Sequence, residues 1–207
     1  IGEATAGIGE YQAKIRSMAA GAMSVQEIAP QLRAWEGGAS RVYFSCVSAL
    51  LPEAYRFQTR NRRPAEDMFN CLLNYAYGIL YSDIEGALIR AGIDPYIGIM
   101  HRDEYNRPVL VYDVIERFRI WADYVAADLC RQKVVFREFF DVENDAWWLN
   151  AHGKRILIQS MNDYMEEVVM MDRLSRSRRT HIDKYAERFA AFLKKLDDSE
   201  GGGGPDF

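Results

Sequence analysis

PAEDMFNCLLNYAYGILYSDIEGALIRAG, residues 64–92, is the stretch that decides the fold. Its apolar residues recur at helical spacing, which predicts one long amphipathic helix with a buried stripe. Pro64 stands where a proline is tolerated in a first helical turn, acids follow in the opening turn, and Gly92 is a C-terminal stop signal. The predicted buried stripe is Phe69, Leu72, Leu73, Ala76, Leu80, Ile84 and Leu88.

The same helix carries a polar stripe of Asn70, Asn74, Tyr77 and Tyr81. Side chains at this spacing share one helix face. One interpretation is that the stripe packs beside a functional site and braces it. Ordinary hydrogen bonding between helices explains the two asparagines equally well.

Helical periodicity extends through nearly all of the remaining chain. A capping-box pattern at Ser24 and Glu27 opens a segment that runs to about residue 50, in which Gly37 and Gly38 either break or kink the helix. After a polar loop over 97–109, a long helix is expected from about 110 to 132. Its predicted core face is Val111, Val114, Ile115, Phe118, Ala122 and Val125.

The C-terminal third is predicted as a mixed segment followed by two helices. Residues 133–153 include a short hairpin around AWWLNAHGKR, and helices follow at roughly 154–172 and 177–197. The Met run VVMMD and the Trp pair are interpreted as core and hairpin packing. With no strand-rich half and no internal repeat, the predicted fold class is all-α.

Composition excludes several classes of protein. The chain has 207 residues, 49% hydrophobic and 27% charged, with no apolar run long enough to span a membrane. Its cysteines, Cys46, Cys71 and Cys130, lie in apolar helical contexts typical of reduced core residues, so a cytoplasmic location is expected. The formal net charge of −4 gives no support to nucleic-acid binding by the whole molecule, so any such binding depends on local patches.

Three regions are expected along the chain: a lead-in helix or linker over 1–23, a helical domain over 24–198, and a flexible Gly-rich tail over 199–207. The run of four glycines in the tail sequence GGGGPDF is typical of a flexible tail or linker.

The segment GIMHRDEYNRPVLVYDVIE, residues 98–116, carries a candidate site. Asp113 and Glu116 are neighbours on one helix face, where two carboxylates repel each other unless a cation or basic partner neutralises them. A plain solvated face, with Glu116 paired to Arg117 or Arg119, is the commoner explanation. His101, taken alone, is more simply an ordinary loop histidine or a satisfied core histidine.

Glu36 adds a further acid, between an aromatic residue and two glycines in AWEGGASRVYF. The glycines allow close approach of backbone or ligand, although they also suit a helix junction. One histidine and two glutamates from three segments would make a mixed oxygen and nitrogen site. Such a set suits Mg²⁺ or Mn²⁺ better than structural Zn²⁺, which prefers thiolates and imidazoles.

The order of these motifs resembles the CRISPR spacer-acquisition integrase, the universal CRISPR-associated DNA nuclease and integrase family. The resemblance covers about residues 25–190 and rests on EGGASRVYF, the Asn-rich long helix, GIDP, GIMH and DVIE. It implies the helical catalytic domain of that family, without the β-rich N-terminal domain that members usually carry. A fusion behind a reverse transcriptase is left open.

The resemblance also implies site residues and partners. The family's three metal ligands fall on Glu36, His101 and Glu116, with Asp113 as the accompanying acid of the catalytic set. The ion would be Mg²⁺ or Mn²⁺. Implied partners are DNA (the incoming spacer and the CRISPR repeat and leader), a small ferredoxin-like adaptation subunit and a second copy within a larger complex. DNA contact is expected from Arg41, Arg60, Arg62, Arg63, Arg102 and Tyr81.

The implied reaction is metal-dependent insertion of new spacers into a CRISPR array, by attack of a 3′-hydroxyl at the repeat boundary in a prokaryotic cytoplasm. Two alternatives remain open at this point. One is a metal-dependent DNA nuclease without integration, and the other is a non-catalytic helical docking module of a larger fusion. A second arginine cluster, Arg173, Arg176, Arg178 and Arg179, is a solvated surface or a further phosphate contact.

Overall fold

The structure, a computed structural model, describes residues 2–19, 25–61, 64–99 and 107–200. This part of the chain is mostly helical, as predicted, with two short antiparallel hairpins. The helices are α1 (Gly2–Ala19), α2 (Val25–Leu50), α3 (Met68–Arg90), α4 (Val109–Ile115), α5 (Arg119–Arg131), α6 (Ala151–Glu166) and α7 (Arg178–Glu200). The hairpins pair β1 (Phe140–Glu143) with β2 (Ala146–Leu149), and β3 (Val168–Met171) with β4 (Leu174–Ser177). Single 3₁₀ turns occur at Glu53–Tyr55 and Arg137–Phe139.

The chain forms two compact units. The first unit contains residues 1–76 and 123–157, and the second contains 77–122 and 158–207. The domain boundaries predicted after residues 23 and 198 are not tested by this division and stay a prediction.

Helix α3 has the predicted buried stripe but begins four residues later than Pro64. Every residue of the stripe, from Phe69 to Leu88, is fully buried. The N-terminal cap is Asp67, whose Oδ1 accepts the backbone N–H of Asn70 at 2.7 Å. The helix ends as predicted at Gly92, where φ is +79°. The N–H groups of Gly92 and Ile93 donate to Ile89 and Leu88 in the two-bond pattern of a Schellman motif.

Helix α2 is continuous, so the alternative of two helices broken at the glycines is wrong. Gly38 instead provides a close approach to α1. A Cβ atom at Gly38 would lie 2.6 Å from Oη of Tyr11, whereas one at Gly37 would meet nothing within 4 Å. The missing side chain therefore permits the close approach of α1 to α2 at this position.

The long helix predicted from 110 to 132 is interrupted, which corrects that prediction. Helix α4 ends at Ile115, and the N–H groups of Arg117 and Phe118 donate to carbonyls three residues back, at 3.3 and 2.8 Å. These tighter turns reset the helix before α5 starts at Arg119. The predicted core face is nevertheless buried throughout, because both helices keep their apolar residues on the packed side.

Hairpin β3–β4 was missed, and the interpretation of the Met run as core packing is wrong. The run forms β3, where Val168 is 68% exposed and Met170 is 72% exposed. The turn places Asp172 and Arg173 at φ values of 51° and 64°. A positive φ is common for glycine, asparagine and aspartate but unusual for arginine, so the glycine that usually signals this turn is absent at residue 173.

The predicted hairpin in 133–153 is present as β1–β2, but it lies N-terminal to the predicted position, and only AWWL belongs to it. It spans 140–149 around a turn at Asn144 and Asp145, both with positive φ. The AHGKR portion begins α6 instead. There Gly153 is required by packing, since a Cβ atom would lie 2.7 Å from the carbonyl oxygen of Phe139.

The three cysteines are free thiols, as predicted. Burial raises the pKa of Cys71 and of Cys130 to about 12. Within the described ranges, no helix is both long and apolar enough to cross a membrane.

Candidate functional site

Asp113 anchors the chain just before His101. Its side chain is half-buried on α4, and its Oδ2 accepts the backbone N–H of Ile99 at 2.8 Å. A second bond nearby joins the N–H of Leu110 to the carbonyl of Pro95 at 3.0 Å. Both bonds lie within the second unit, and they hold the start of the polar loop against the first turns of α4.

Glu116 is an exposed residue at the C-terminal cap of α4. Its Oε1 accepts a hydrogen bond from Nη1 of Arg119 at 2.7 Å, so the ion pair considered from the sequence is present. The guanidinium of Arg119 lies 4.9 Å from the ring centroid of Tyr77 on α3. Burial acts to lower the pKa of Arg119, but the oxygens of Tyr77 and Glu116 hold that pKa above its ordinary value.

Tyr81 lies one turn beyond Tyr77 on α3 and is half-buried. Its ring meets that of Tyr112 edge to face, with centroids 5.4 Å apart. The two tyrosines of the polar stripe thus contact the segment of α4 and α5 that carries the acids. This arrangement suits the bracing interpretation, while DNA contact by Tyr81 stays a prediction.

Glu36 and Arg41 both have exposed side chains on α2, in the first unit. The other predicted site residues, His101, Arg62, Arg63 and Arg102, lie outside the described residues. In the ranges that the structure covers, no three His, Cys, Asp or Glu side chains form a group able to hold a metal ion. Since the predicted set needs His101, the metal site stays a prediction.

Arg60 is engaged inside the first unit. Its Nη1 donates to Oδ1 of Asn70 at 2.9 Å, and its Nη2 donates to Oδ1 of Asn74 at 2.6 Å. The guanidinium also lies 5.8 Å from the ring centroid of Phe44. These contacts give Arg60 a role in shaping the loop before α3, and its contact with DNA stays a prediction.

Asn70 is the centre of that loop. The side chain is fully buried, and its Nδ2 donates to the carbonyl of Thr59 at 3.0 Å and to Oδ2 of Asp67 at 2.6 Å. Its Oδ1 also accepts the N–H of Asn61 at 3.2 Å. Asn70 is therefore a hydrogen-bonding residue, but the interpretation of bonding between helices is wrong for it, because its partners lie in the loop before α3.

Two arginines of the second cluster are held by acids of the same unit. Arg178 lies 3.5 Å from the ring centroid of Tyr164 and pairs with Glu167 at 2.6 Å. Arg179 pairs with Asp83 and with Glu166. Burial raises the pKa of Asp83, although the charge of Arg179 opposes the rise. These arginines join elements of the second unit.

Asp123 and His181 are buried polar residues that sequence reasoning missed. Asp123 is 6% exposed, and its Oδ2 accepts a hydrogen bond from the hydroxyl of Tyr43 at 2.9 Å. His181 is 2% exposed, and its Nε2 donates to the carbonyl of Val169 at 3.0 Å. The signal for Asp123 was an acid directly after the predicted core residue Ala122. A buried polar group requires a partner, and in both cases the partner holds two elements together.

Comparison with known proteins identifies the family that the sequence matches. A sequence profile described as "CRISPR associated protein Cas1" matches residues 2–163. One curated relative, "CRISPR-associated endonuclease Cas1 3" of Thermus thermophilus, is 44% identical over 111 residues, covering 53% of this chain and 33% of the relative. The chain therefore spans about a third of that protein's length.

Solved structures share the fold. A chain of a "Cas6-RT-Cas1--Cas2 complex" matches with a TM-score of 0.73 and 26% identity, over 81% of this chain and 19% of that chain. A "Casposase bound to integration product" matches with a TM-score of 0.77 and 22% identity, over 82% of this chain and 52% of that chain. At that identity the second match indicates the fold alone.

Proposed function

The chain belongs to the Cas1 family of CRISPR-associated proteins, and on that premise we propose that it is the catalytic part of a metal-dependent DNA integrase. Its reaction would insert new spacers into a CRISPR array. The observation that carries the proposal is the hydrogen bond from Ile99 N–H to Asp113. Ile99 lies two residues before His101, and Asp113 lies three residues before Glu116. The bond therefore joins the parts of the chain that lead to two of the proposed ligands.

The donor set fits a hard divalent cation. Glu36, His101 and Glu116 would hold Mg²⁺ or Mn²⁺, because carboxylate oxygens with a single imidazole suit these ions. The exposed carboxylates of Glu36 and Glu116 support this fit. When bound, such an ion supplies Lewis-acid activation of a 3′-hydroxyl and of the phosphate that it attacks.

The protein's own residues would orient these ligands and the DNA. Asp113 fixes the entry to the loop that carries His101, and Arg119 orients the carboxylate of Glu116 through an ion pair. Arg41, exposed on the helix of Glu36, would neutralise charge that develops on the phosphate. Proper alignment of the attacking oxygen is a large part of the catalysis of phosphoryl transfer.

The covalent step is a transesterification. The 3′-oxygen of the incoming strand forms a new bond to phosphorus at the repeat boundary, and the bond from that phosphorus to the 3′-oxygen of the neighbouring nucleotide in the target strand breaks. The proton lost by the attacking hydroxyl balances the proton taken up by the leaving oxygen. One phosphodiester replaces another, so the reaction requires no ATP.

The proposed partners extend beyond DNA. The neighbour in the Cas6-RT-Cas1–Cas2 complex is part of a larger assembly. We propose that this chain likewise acts with a small ferredoxin-like subunit and a second copy of itself. A fused reverse transcriptase is one form of the longer protein. Joining a spacer at two sites requires two active sites, so the 207-residue chain alone should integrate poorly. We also expect this chain to sediment as a monomer or weak dimer.

A nuclease without integration is the second candidate, because the curated relative is named an endonuclease. The two candidates differ in the nucleophile. A labelled DNA strand ending in a 3′-hydroxyl should become joined to a repeat duplex in Mn²⁺, whereas the same strand ending in a 3′-deoxy sugar should not.

The control in this experiment is the repeat duplex incubated without the labelled strand. Cleavage at equal rates with both strand ends, and no joined product, would contradict integration and favour hydrolysis by water.

A further inference from the structure

The first unit contains a cavity that the proposed chemistry does not use. It has a volume of about 320 Å³ and lies between the start of α3, strand β2 and the first turn of α6. This volume is at the lower end of the range for small-molecule sites. The residues of its wall that matter here are Asn74, Tyr75, Trp147, Trp148 and Lys154.

The wall is built by specific contacts. The N–H of Trp147 donates to the carbonyl of Ala65 at 2.8 Å, which joins β2 to the segment before α3. Arg137 lies 4.6 Å from the ring centroid of Trp147 and covers that ring. Lys154 lies 5.8 Å from the ring centroid of Tyr75. These contacts hold the rings of Trp147 and Tyr75 and the ammonium of Lys154 in position.

Trp148 differs from its neighbours because it is 59% exposed. A tryptophan with this much accessible surface at the edge of a cavity offers a flat aromatic face to a ligand. Among the described side chains that line the cavity there is no carboxylate, and Lys154 carries their one formal charge. An electron-rich planar group attached to an anion would match this combination of rings, amide and ammonium.

We propose that the cavity binds one unpaired nucleobase of a single-stranded DNA end, stacked on Trp148, with the adjacent phosphate near Lys154. Aromatic side chains beside a cation are the usual means of holding single strands without sequence preference. The proposal rests on the proposed function in its choice of DNA as ligand.

The test is direct binding of DNA by the 207-residue chain in EDTA, with no metal and no turnover. The probe is a labelled duplex with a four-nucleotide 3′ overhang, compared with the same duplex in which the overhang nucleotides are abasic. Trp148→Ala should weaken binding of the intact overhang about tenfold, the loss expected for one stacked base. The same variant should leave binding of the abasic duplex unchanged, because the phosphates remain.

Two further variants sharpen the result. Lys154→Gln should weaken binding of both duplexes, since it removes a phosphate contact. Phe192→Ala removes an aromatic ring of similar exposure (55%) on α7 and should change neither. Intrinsic fluorescence of the chain should be quenched by the intact overhang, and Trp148→Phe should remove most of that quenching.

Equal losses for intact and abasic overhangs in Trp148→Ala, or no loss at all, would overturn the base-binding proposal. The second outcome would instead fit a protein side chain as the occupant. Failure here is separable from failure of the proposed function. If strand joining depends on Glu116 but Trp148→Ala binds overhangs normally, only the cavity proposal is rejected. If Trp148→Ala weakens overhang binding but strand joining does not depend on Glu116, only the integrase proposal is rejected.

Discussion

At the scale of single residues, Glu116 forms an ion pair with Arg119, and the guanidinium of Arg119 lies over the ring of Tyr77. The pair with Arg119 orients the carboxylate without burying it, since the Glu116 side chain remains 46% exposed. An exposed, oriented carboxylate can exchange its partner for a cation at little cost in stability. A substitution at this residue should therefore affect chemistry far more than folding.

Glu116→Gln should abolish strand joining and lower the affinity for Mn²⁺ by at least about tenfold, because one charged ligand is lost. Its free energy of unfolding should change by about 1 kcal/mol or less, because the Glu116 side chain is largely exposed and glutamine keeps an oxygen that can accept the hydrogen bond of Arg119. Strand-transfer assays, calorimetric Mn²⁺ titration and urea unfolding measure the three quantities.

The matched control is Glu167→Gln. Glu167 is also exposed, at 60%, and is paired to an arginine at 2.6 Å in the same unit, but it has no proposed ligand role. If the two variants join DNA equally well, Glu116 is not a ligand.

Asn70 illustrates a residue for which folding outweighs chemistry. Asn70→Ala should lower the free energy of unfolding by roughly 2–4 kcal/mol, because it leaves several buried donors and acceptors without their partner. Asn162→Ala, at an exposed asparagine bonded to Arg179, should cost under about 1 kcal/mol. Urea unfolding of both variants checks the difference, and similar losses would show that the loop does not depend on Asn70.

At the scale of elements, α1 packs against α2 at Gly38, where the absence of a side chain leaves room for Tyr11. Gly37→Ala should stabilise the protein by about 0.5–1 kcal/mol, since alanine favours a helix and meets no neighbour. Gly38→Ala should lose that gain, because its Cβ would displace the Tyr11 ring. Thermal unfolding, with hydrogen exchange of α1, measures the contrast. Equal stabilisation by both variants would mean that α1 does not pack at Gly38.

The same scale shows what the sequence could predict. The stripe of α3 and the core face of α4 and α5 followed from apolar spacing, because burial imposes that spacing on any helix. The interruption after Ile115 was not predictable, since Glu116 to Phe118 continue the helical pattern and only the hydrogen bonds change. Hairpin β3–β4 was missed because its turn uses Asp172 and Arg173, which lack the usual glycine signal.

The candidate site divides in a similar way. Its two acids on α4, and the alternative ion pair to Arg119, followed from helical spacing. The bond from Ile99 to Asp113 and the partner of Asp123 join residues distant in sequence, and no local pattern encodes such contacts.

At the scale of the whole molecule, the net charge of −4 opposes the approach of DNA. Binding must then depend on local arginines, and its salt dependence counts the phosphates that they meet. Replacing Arg62 and Arg63 with glutamine should make the slope of log K against log salt shallower by about 1.8. Arg60 is left intact, because its bonds to Asn70 and Asn74 would confuse the result with unfolding.

Arg173 and Arg176 supply the control for this measurement, as an exposed pair from the second cluster. Their replacement should leave the slope unchanged. A shallower slope in this control, with no change for Arg62 and Arg63, would move the DNA path to the second unit.

The hydrogen bond between Ile99 and Asp113 also makes one amide proton a natural reporter. That proton exchanges with solvent only when the loop start separates from α4, so its exchange rate in deuterated water measures how often this separation occurs. Ile99 is none of the proposed ligands, and its amide can therefore be followed without disturbing them. Slower exchange on adding Mn²⁺ would register occupation of the neighbouring site at an atom that takes no part in the chemistry.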